Sequence, residues 1–528
     1  MSTKLAKRIE SSTNVRHAAK TAAVIDIGTS SIRMAIAEID EDGQIKPLEN
    51  LSQAVSLGRD TFTKGAIESS TIEDCVRVLK SYRQLLDEYH ITDADDIHVV
   101  ATSSVREASN RLTFLKRIYV ATGLRVDPID EAETNRVMFL GVQPLLASRP
   151  DLAESQAVIL EVGGGSTDVL VMHQGDVRFA YSYRLGSLRL RKSLEGFRAS
   201  AAKTRKIMES QIDRTVEQIC EQVPRDESSV MVALGGDVRF AASHLEPGWE
   251  RRGLGRIKVS ELRRFASEVL KLTVDELVQK YHLSFPDAET VGPALLTYVQ
   301  LARALKLKHI LVCDVNLRDG LLKEMAVQEA WTEGFRNQIV RSAIDMGRRF
   351  NFHEGHALHV ANLCVTLFHE LEPEHQMEER YELLMYIAAL LHDIGYIVSP
   401  RSHHKHAMYL IMNGELFGLS QKDLLQVALV ARYHRRASPK PIHEGYDSLD
   451  WESRINVAKM AAILRLADAL DRSNSQWVKE FKCSREKGQL VISVPGVSDQ
   501  SLEQLALKQK GSLFEDVFGM KVILRSGK

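Results

Sequence analysis

The residues of this chain best suited to chemistry are Glu161-Val162-Gly163-Gly164-Gly165-Ser166-Thr167-Asp168. Three glycines let the backbone turn sharply and approach a ligand closely. Several N–H groups can then converge on one phosphate oxygen while Ser166 and Thr167 donate hydroxyls. The flanking runs, Ala157 to Leu160 and Val169 to Met172, are short and apolar, which predicts strand, tight turn, strand. Taken alone, the same residues also suit a hairpin turn with no ligand. They are not alone, because Ala22 to Ile36 repeats the plan: an apolar strand, Asp26, Gly28, the hydroxyls of Thr29, Ser30 and Ser31, then Arg33 within a second strand. Each turn carries a carboxylate, Asp26 or Glu161, just before its first glycine. Two such turns facing across a cleft could hold Mg²⁺, which favours one or two carboxylates, several waters and phosphate oxygens.

Stepping outward along the chain, Thr71 to Tyr89 places Ile72, Val76, Leu79, Tyr82 and Leu86 at helical spacing, predicting an amphipathic helix. The stretch Ile97 to Asn110 is a buried strand running into Thr102, Ser103 and Ser104 and then a helix start, with Arg106 in its first turn. A helix N-terminus beside an arginine is an anion site. Further on, Val126 to Val142 carries Glu131, Glu133 and Thr134 ahead of Arg136.

These paired turns resemble the phosphate loops of the actin, sugar kinase and Hsp70 superfamily. More closely, the chain resembles the exopolyphosphatase and guanosine pentaphosphate phosphohydrolase (Ppx/GppA) family. The resemblance runs from about Ala22 to Ala326 and includes Tyr183 to Leu190, Val232 to Arg239 and Leu311 to Leu322. It implies an α/β fold of two ribonuclease-H-like (actin-like ATPase) lobes. It also implies release of terminal phosphate from inorganic polyphosphate or guanosine pentaphosphate with Mg²⁺. Gly28 to Ser31 and Gly163, Gly164, Gly165, Ser166 and Thr167 would hold adjacent phosphates, and Arg33 and Arg106 would neutralise developing charge. Water activated by Mg²⁺ on Asp26 and Glu161 would attack in line.

The sequence departs from the family pattern in three places. The general base is a glutamate two residues before the arginine in the family, and an ungapped match puts Thr134 there, which cannot accept a proton from water at neutral pH. Glu133 is the adjacent carboxylate that could serve instead, with Glu131 a further candidate. Glu161 replaces the usual aspartate, and Asp237 stands where members often carry threonine, adding a negative charge unfavourable to phosphate. A non-catalytic sensor of polyphosphate or guanosine tetraphosphate is the competing reading.

From Gly334 the pattern becomes long helices carrying His356, then His392-Asp393, then Asp468. This order resembles the HD phosphohydrolase fold. The resemblance implies that His356, His392, Asp393 and Asp468 hold a divalent transition metal, with His404, His406 and His434 as candidates for a second ion. Hydrogen-bonded histidines in a helical core are the alternative. A metal phosphohydrolase seated in this half is a third functional reading.

The chain has 528 residues and 44% apolar content, enough for several domains. We divide it into a tail over 1–20, lobes over 21–145 and 146–327, an HD-like all-α domain over 328–480 and a small α+β cap over 481–528. The cap is read as strand, helix, strand. A net charge of −1 argues against a generic nucleic-acid binder. Basic groups at Arg251, Arg252, Arg256 and Lys258, at Arg348 and Arg349, and at Arg432, Arg435, Arg436 and Lys440 could instead line a polyanion's path. Five dispersed cysteines suit a reducing cytoplasm. No run approaches membrane length or forms a signal peptide. A homodimer is expected.

Overall fold

The structure, a computed structural model, describes residues 19–195, 201–223, 228–327, 333–414, 416–435, 437–495 and 500–527. Most of the expected N-terminal tail therefore lies outside the described residues, as does Arg436. The chain forms two compact units, the first ending at Ala330 and the second starting at Trp331.

The first unit contains the same sheet twice. Strands β1 (Lys20–Ile27), β2 (Ser31–Ile39), β3 (Ile45–Ala54), β4 (Ile97–Ala101) and β5 (Val126–Pro128) form a sheet of order β3-β2-β1-β4-β5. The second sheet holds β6 (Gln156–Val162), β7 (Thr167–His173), β8 (Asp176–Tyr183), β9 (Val230–Leu234), β10 (Leu254–Lys258) and β11 (His309–Cys313), ordered β10-β11-β9-β6-β7-β8. In both, an antiparallel meander continues into parallel strands: β1 pairs with β2 antiparallel and β4 parallel, β6 with β7 antiparallel and β9 parallel. The mixed α/β class is as expected, and β10 is an added antiparallel edge.

Helices cover both faces of the first sheet, which is why its central strand reads as an unbroken apolar run. Ala23, Ile25 and Ile27 enter one core layer, Ala22 and Val24 the other. In the second sheet, Val158, Leu160 and Val162 enter one large cluster. Each large side chain so buried contributes about 1.5–3 kcal/mol, so the strand ends that carry the turns are firmly anchored. The expected amphipathic helix spans Ser69–Glu88, with Ile72, Val76, Leu79, Tyr82 and Leu86 all buried.

Five helices of this unit bear on the cleft: α1 (Ser103–Arg106), α2 (Glu131–Ala147), α3 (Gly236–Leu245), α4 (Phe285–Ala304) and α5 (Leu317–Val327). Helix α5, counted with the second lobe in the sequence division, packs back onto α2 and β1, with Leu321 and Leu322 in the core of the first sheet.

The second unit is a helical bundle with a small sheet. Helices α6 (Glu354–Glu370), α7 (Arg380–Leu391), α8 (His403–Met412), α9 (Gln421–Arg432) and α10 (Trp451–Leu470) build it. The sheet has order β12-β13-β14 over Lys482–Glu486, Gln489–Pro495 and Lys521–Gly527, with α11 (Ser501–Lys510) packed on α10. Strand β12 was absent from the strand-helix-strand expectation, since Lys482 to Glu486 is mostly polar and lies at an edge. No described helix is long and apolar enough to cross a membrane, and all five cysteines are free.

Candidate functional site

The two hairpins end in turns of the same build. Gly28 N–H donates to Ser31 O and Gly163 N–H to Ser166 O, each at 2.9 Å. These bonds close the turns. They leave the amides of Thr29, Ser30, Gly164 and Gly165 with no carbonyl acceptor among the described residues. The turns lie beyond the carboxyl ends of the parallel strands, where open α/β sheets bind ligands. They meet: a Cβ added to Gly164 would lie 2.6 Å from Thr29 Cγ2, so only glycine lets the second turn reach the first.

Both turns line one cavity of about 330 Å³, together with Asp26, Arg33, Arg106, Thr134, Glu161, Asp168, Asp237 and Asp287. The hairpin register repeats here as well, since Asp26 lies opposite Arg33 and Glu161 opposite Asp168. Burial, then the charges of Asp168 and Asp26, push the Glu161 carboxyl up to about 7. Burial likewise raises Asp26, against the opposing pull of Arg33 and Arg318. Asp26 Oδ1 and Ser31 Oγ are buried with no hydrogen-bond partner. The cavity therefore presents more carboxylates than arginines, a surface that accepts phosphate only with a cation present.

Several expected residues sit in this cavity and others do not. Gly28, Thr29, Ser30, Ser31, Arg33, Gly163, Gly164, Gly165 and Ser166 all line it. Thr167 is fully buried, and its hydroxyl donates to Leu185 O inside the second lobe, so it does not face the cavity. Ser166 Oγ donates to Asp168 Oδ2 at 3.2 Å, and Asp168 Oδ1 accepts from Ser182. Arg106 reaches the cavity, but α1 is a single turn and Arg106 is its last residue, so the expected helix N-terminal anion site is not built. Its guanidinium donates to Ile129 O at 2.8 Å and to Glu131 Oε1 at 3.3 Å.

Glu133 does not line the cavity. Arg136 grips it with Nε at 2.8 Å and Nη2 at 2.6 Å, and holds Glu324 with Nη2 at 2.6 Å as well. Thr134 takes the wall position, its hydroxyl donating to Asp130 O at 2.8 Å. The helix phase of α2, capped by Asp130, is the physical reason: turning residue 134 inward turns residue 133 toward α5.

Four positioning residues come from elsewhere in the chain. Arg318, at the start of α5 and buried, lies 3.7 Å from Asp26 Oδ2. Tyr298 of α4 accepts from Val162 N–H at 2.9 Å and donates to Leu234 O, tying the ends of β6 and β9 together beside Glu161. Arg189 donates to Gly165 O at 2.8 Å, stacks over Phe62 at 4.2 Å and pairs with Glu107 at 2.5 Å, joining the second turn to the first lobe. Asp237 lines the cavity, accepts from Thr290 Oγ1 at 3.1 Å, and is pushed up to about 7 by burial and by Asp287. Among the basic groups, Lys258 pairs with Glu261 and Arg348 with Glu354; the side chains of Arg251 and Arg252 lie outside the described residues.

In the second unit, His356 Nε2 lies 4.0 Å from Asp468 Oδ1, and His392 Nε2 lies 3.5 Å from Asp393 Oδ2. His356, His392 and Asp393 each offer a ligand atom to one point. His434 is close to Asp393, at 3.6 Å. His404 and His406 join neither group of converging ligands; His403 does, at 3.4 Å from Asp393. Helix α8 begins at His403 and buries His403, Ala407 and Ile411, so the helical phase puts its neighbours on other faces.

The duplicated sheets and the shared phosphate-sized cleft define a two-lobed α/β protein built to handle phosphoryl groups. The model of the Ppx/GppA phosphatase family matches residues 19–329, and that of Ppx/GppA phosphatase domain III matches residues 340–511. The chain belongs to the Ppx/GppA phosphatase family. It is 23% identical over 509 residues to the guanosine-5'-triphosphate,3'-diphosphate pyrophosphatase of Photobacterium profundum, covering 92% of this chain and 95% of that one. Among solved structures, an exopolyphosphatase from Cytophaga hutchinsonii matches with TM-score 0.53 and 22% identity, over 58% of this chain and 98% of that one. An exopolyphosphatase-like protein matches with TM-score 0.52 and 20% identity, over 59% and 99%.

Proposed function

We propose that the first unit hydrolyses the terminal phosphoanhydride of inorganic polyphosphate or guanosine pentaphosphate, with Mg²⁺ held by Asp26 and Glu161. The carrying observation is the contact of the two turns, which puts two carboxylates and two sets of uncommitted amides on one cavity. The residues suit the ion: Asp26 Oδ1 is buried without a partner, and the carboxylate surplus would repel a phosphate chain if left uncompensated. When bound, Mg²⁺ supplies charge neutralisation and a more acidic water. The amides of Thr29, Ser30, Gly164 and Gly165 orient the last two phosphates, and Arg33 and Arg106 offset the charge on the transferred group. The relatives named for pentaphosphate and polyphosphate hydrolysis support this substrate class. Free, dispersed cysteines support a cytoplasmic setting.

Glu133 is not retained as the base, because Arg136 occupies it. Phosphoryl transfer runs largely on positioning and charge stabilisation, so a hydroxyl at 134 slows turnover without removing it. The same Thr134 is the observation favouring the second reading, a sensor that binds and does not hydrolyse. Orthophosphate release from long polyphosphate and from guanosine pentaphosphate, with and without Mg²⁺, tests the proposal. Mg²⁺-dependent release that Thr134→Glu accelerates supports the hydrolase. Tight binding with no release, converted to turnover by Thr134→Glu, establishes the sensor.

A further inference from the structure

The first unit has a second cavity, of about 290 Å³, between α2, α5 and strands β2 and β3. It shares no lining residue with the phosphate cavity. Ligand pockets run from roughly 300 to 1,000 Å³, so this one suits a small molecule. Ala35, Ile45, Leu140 and Leu322 give it an apolar floor, and Asn50, Asp319 and Lys323 are polar side chains in its wall. Glu49 borders it too, but stands opposite Ile36 in register and accepts from Tyr89 Oη at 3.3 Å, so its carboxylate lies on the other face of the sheet. The ladder between β2 and β3 shifts at Ile36 and Ala37, leaving Leu48 out of register beside the cavity. Bulges of this kind concentrate next to active sites.

The polar groups of this wall are left open by their own elements. Asp319 and Lys323 stand four residues apart on α5, acid before base, a spacing that ordinarily closes an ion pair. Here it stays open. Asp319 turns Oδ2 back to the Asn316 N–H at 2.8 Å, and Lys323 has no ion pair among the described residues. Pro144, inside α2, has no N–H to give to Leu140 O, so that carbonyl lacks its helical donor, and both residues line the cavity. Asn50 pairs with Ala35 in register, which puts it on the cavity face, and its amide makes no hydrogen bond among the described residues. A cation, an amide and two acceptors around an apolar floor complement a molecule carrying carboxylate, ammonium and an aliphatic body on one carbon.

From this arrangement we propose that the cavity binds an α-amino acid with a branched aliphatic side chain, and that the bound molecule acts on the phosphate cleft through α5. Lys323 and the Asn50 amide donate to the carboxylate, while Asp319 and Leu140 O accept from the ammonium. The side chain lies on Ala35, Ile45 and Leu322. Three attachments to one carbon discriminate between enantiomers. The link to the cleft is steric: a Cβ at Gly320 would strike Val137 O, and one at Gly141 would lie 2.8 Å from Val315 Cγ1, so α2 and α5 move together. The same turn of α5 places Leu317 on the phosphate cavity and Arg318 3.7 Å from Asp26 Oδ2. A ligand held by Asp319 and Lys323 therefore bears on the turn that sets Arg318 against Asp26. This coupling depends on the hydrolase reading above, whereas the binding does not.

The test is isothermal titration calorimetry of the full-length protein with L-leucine, L-isoleucine and L-valine. The expected result is saturable binding of one L-leucine per chain. D-Leucine, 4-methylpentanoate, which lacks the ammonium, and 3-methylbutylamine, which lacks the carboxylate, should each bind about tenfold more weakly or worse. Lys323→Met keeps the aliphatic stem and should lose about tenfold in affinity. Pro144→Ala returns a donor to Leu140 O and strengthens α2, and should lose affinity several-fold. Circular dichroism checks the folding of both variants. A folded wild type with no saturable heat for any of the three amino acids overturns the proposal. Binding that neither substitution weakens, or that 4-methylpentanoate matches, overturns it equally. Because binding is read without turnover, a chain that releases no phosphate refutes only the hydrolase. In an active chain, saturating L-leucine should change the KM for polyphosphate about twofold or more, an effect absent from Lys323→Met. Unchanged kinetics would overturn the coupling.

Discussion

Thr29 and Gly164, from turns in opposite lobes, are in van der Waals contact, with no room for a Cβ on the glycine. This contact sets the spacing between the two phosphate-binding turns. Gly164→Ala should therefore push the turns apart rather than be absorbed locally. Overpacking of this kind costs about 1–3 kcal/mol. We expect a lower melting temperature by a few degrees and a loss of phosphate release at least tenfold larger than that of an alanine at open Gly236, where a Cβ meets nothing within 4 Å.

Arg189 ties Gly165 to Phe62 and Glu107, so it governs how firmly the second turn is held against the first lobe. Arg189→Lys keeps the charge but loses the planar fork that makes these contacts at once. The expected outcome is a KM for polyphosphate raised several-fold with kcat changed less, read from steady-state kinetics.

The hairpin turns were legible because each is local: glycine, hydroxyl and carboxylate lie within a few residues of one another. Thr167 was misplaced for want of strand phase. Ser166 and Asp168 face the cavity and Thr167, between them, faces away, as successive side chains of a strand do, but the unbroken apolar run from Val169 to Met172 hides that phase. Glu133 as the substitute base, and His404 as a candidate ligand, failed in the same way, on helix phase. Asp130 sets the first phase by capping α2, and the left-handed Ser402 sets the second by starting α8. Arg318, inside the matched run Leu311 to Leu322, and Tyr298 act from far along the chain on Asp26 and on the Glu161 strand, and nothing local to either gives that role.

The acidity of Asp237 yields a pH-dependent stability. Burial and Asp287 raise its folded carboxyl to about 7. The folded state thus holds a proton that the unfolded chain releases at lower pH. The stability this contributes is complete below the unfolded value near 3.8 and is lost as pH rises through about 7. The stability advantage of Asp237→Asn over wild type should therefore be larger at pH 8 than at pH 5, by about 2 kcal/mol or more. An equal difference at both pH values would contradict the assignment.

Glu133 tests whether a carboxylate beside the cavity is catalytic or structural. With Arg136 held between Glu133 and Glu324, Glu133→Gln should cost about 1–3 kcal/mol in urea unfolding by weakening a largely buried pair. Phosphate release at saturating substrate should change by less than threefold, whereas a general base would lose 100-fold or more.

The central claim is that Asp26 and Glu161 act together, from opposite lobes, on one phosphoanhydride. Its most direct measurement is the initial rate of orthophosphate release from polyphosphate by folded Glu161→Gln at saturating Mg²⁺. We expect the rate to fall about 100-fold or more, roughly 3 kcal/mol in the barrier, with Asp26→Asn falling comparably and the double variant little further. A Glu161→Gln enzyme as fast as wild type would contradict the account.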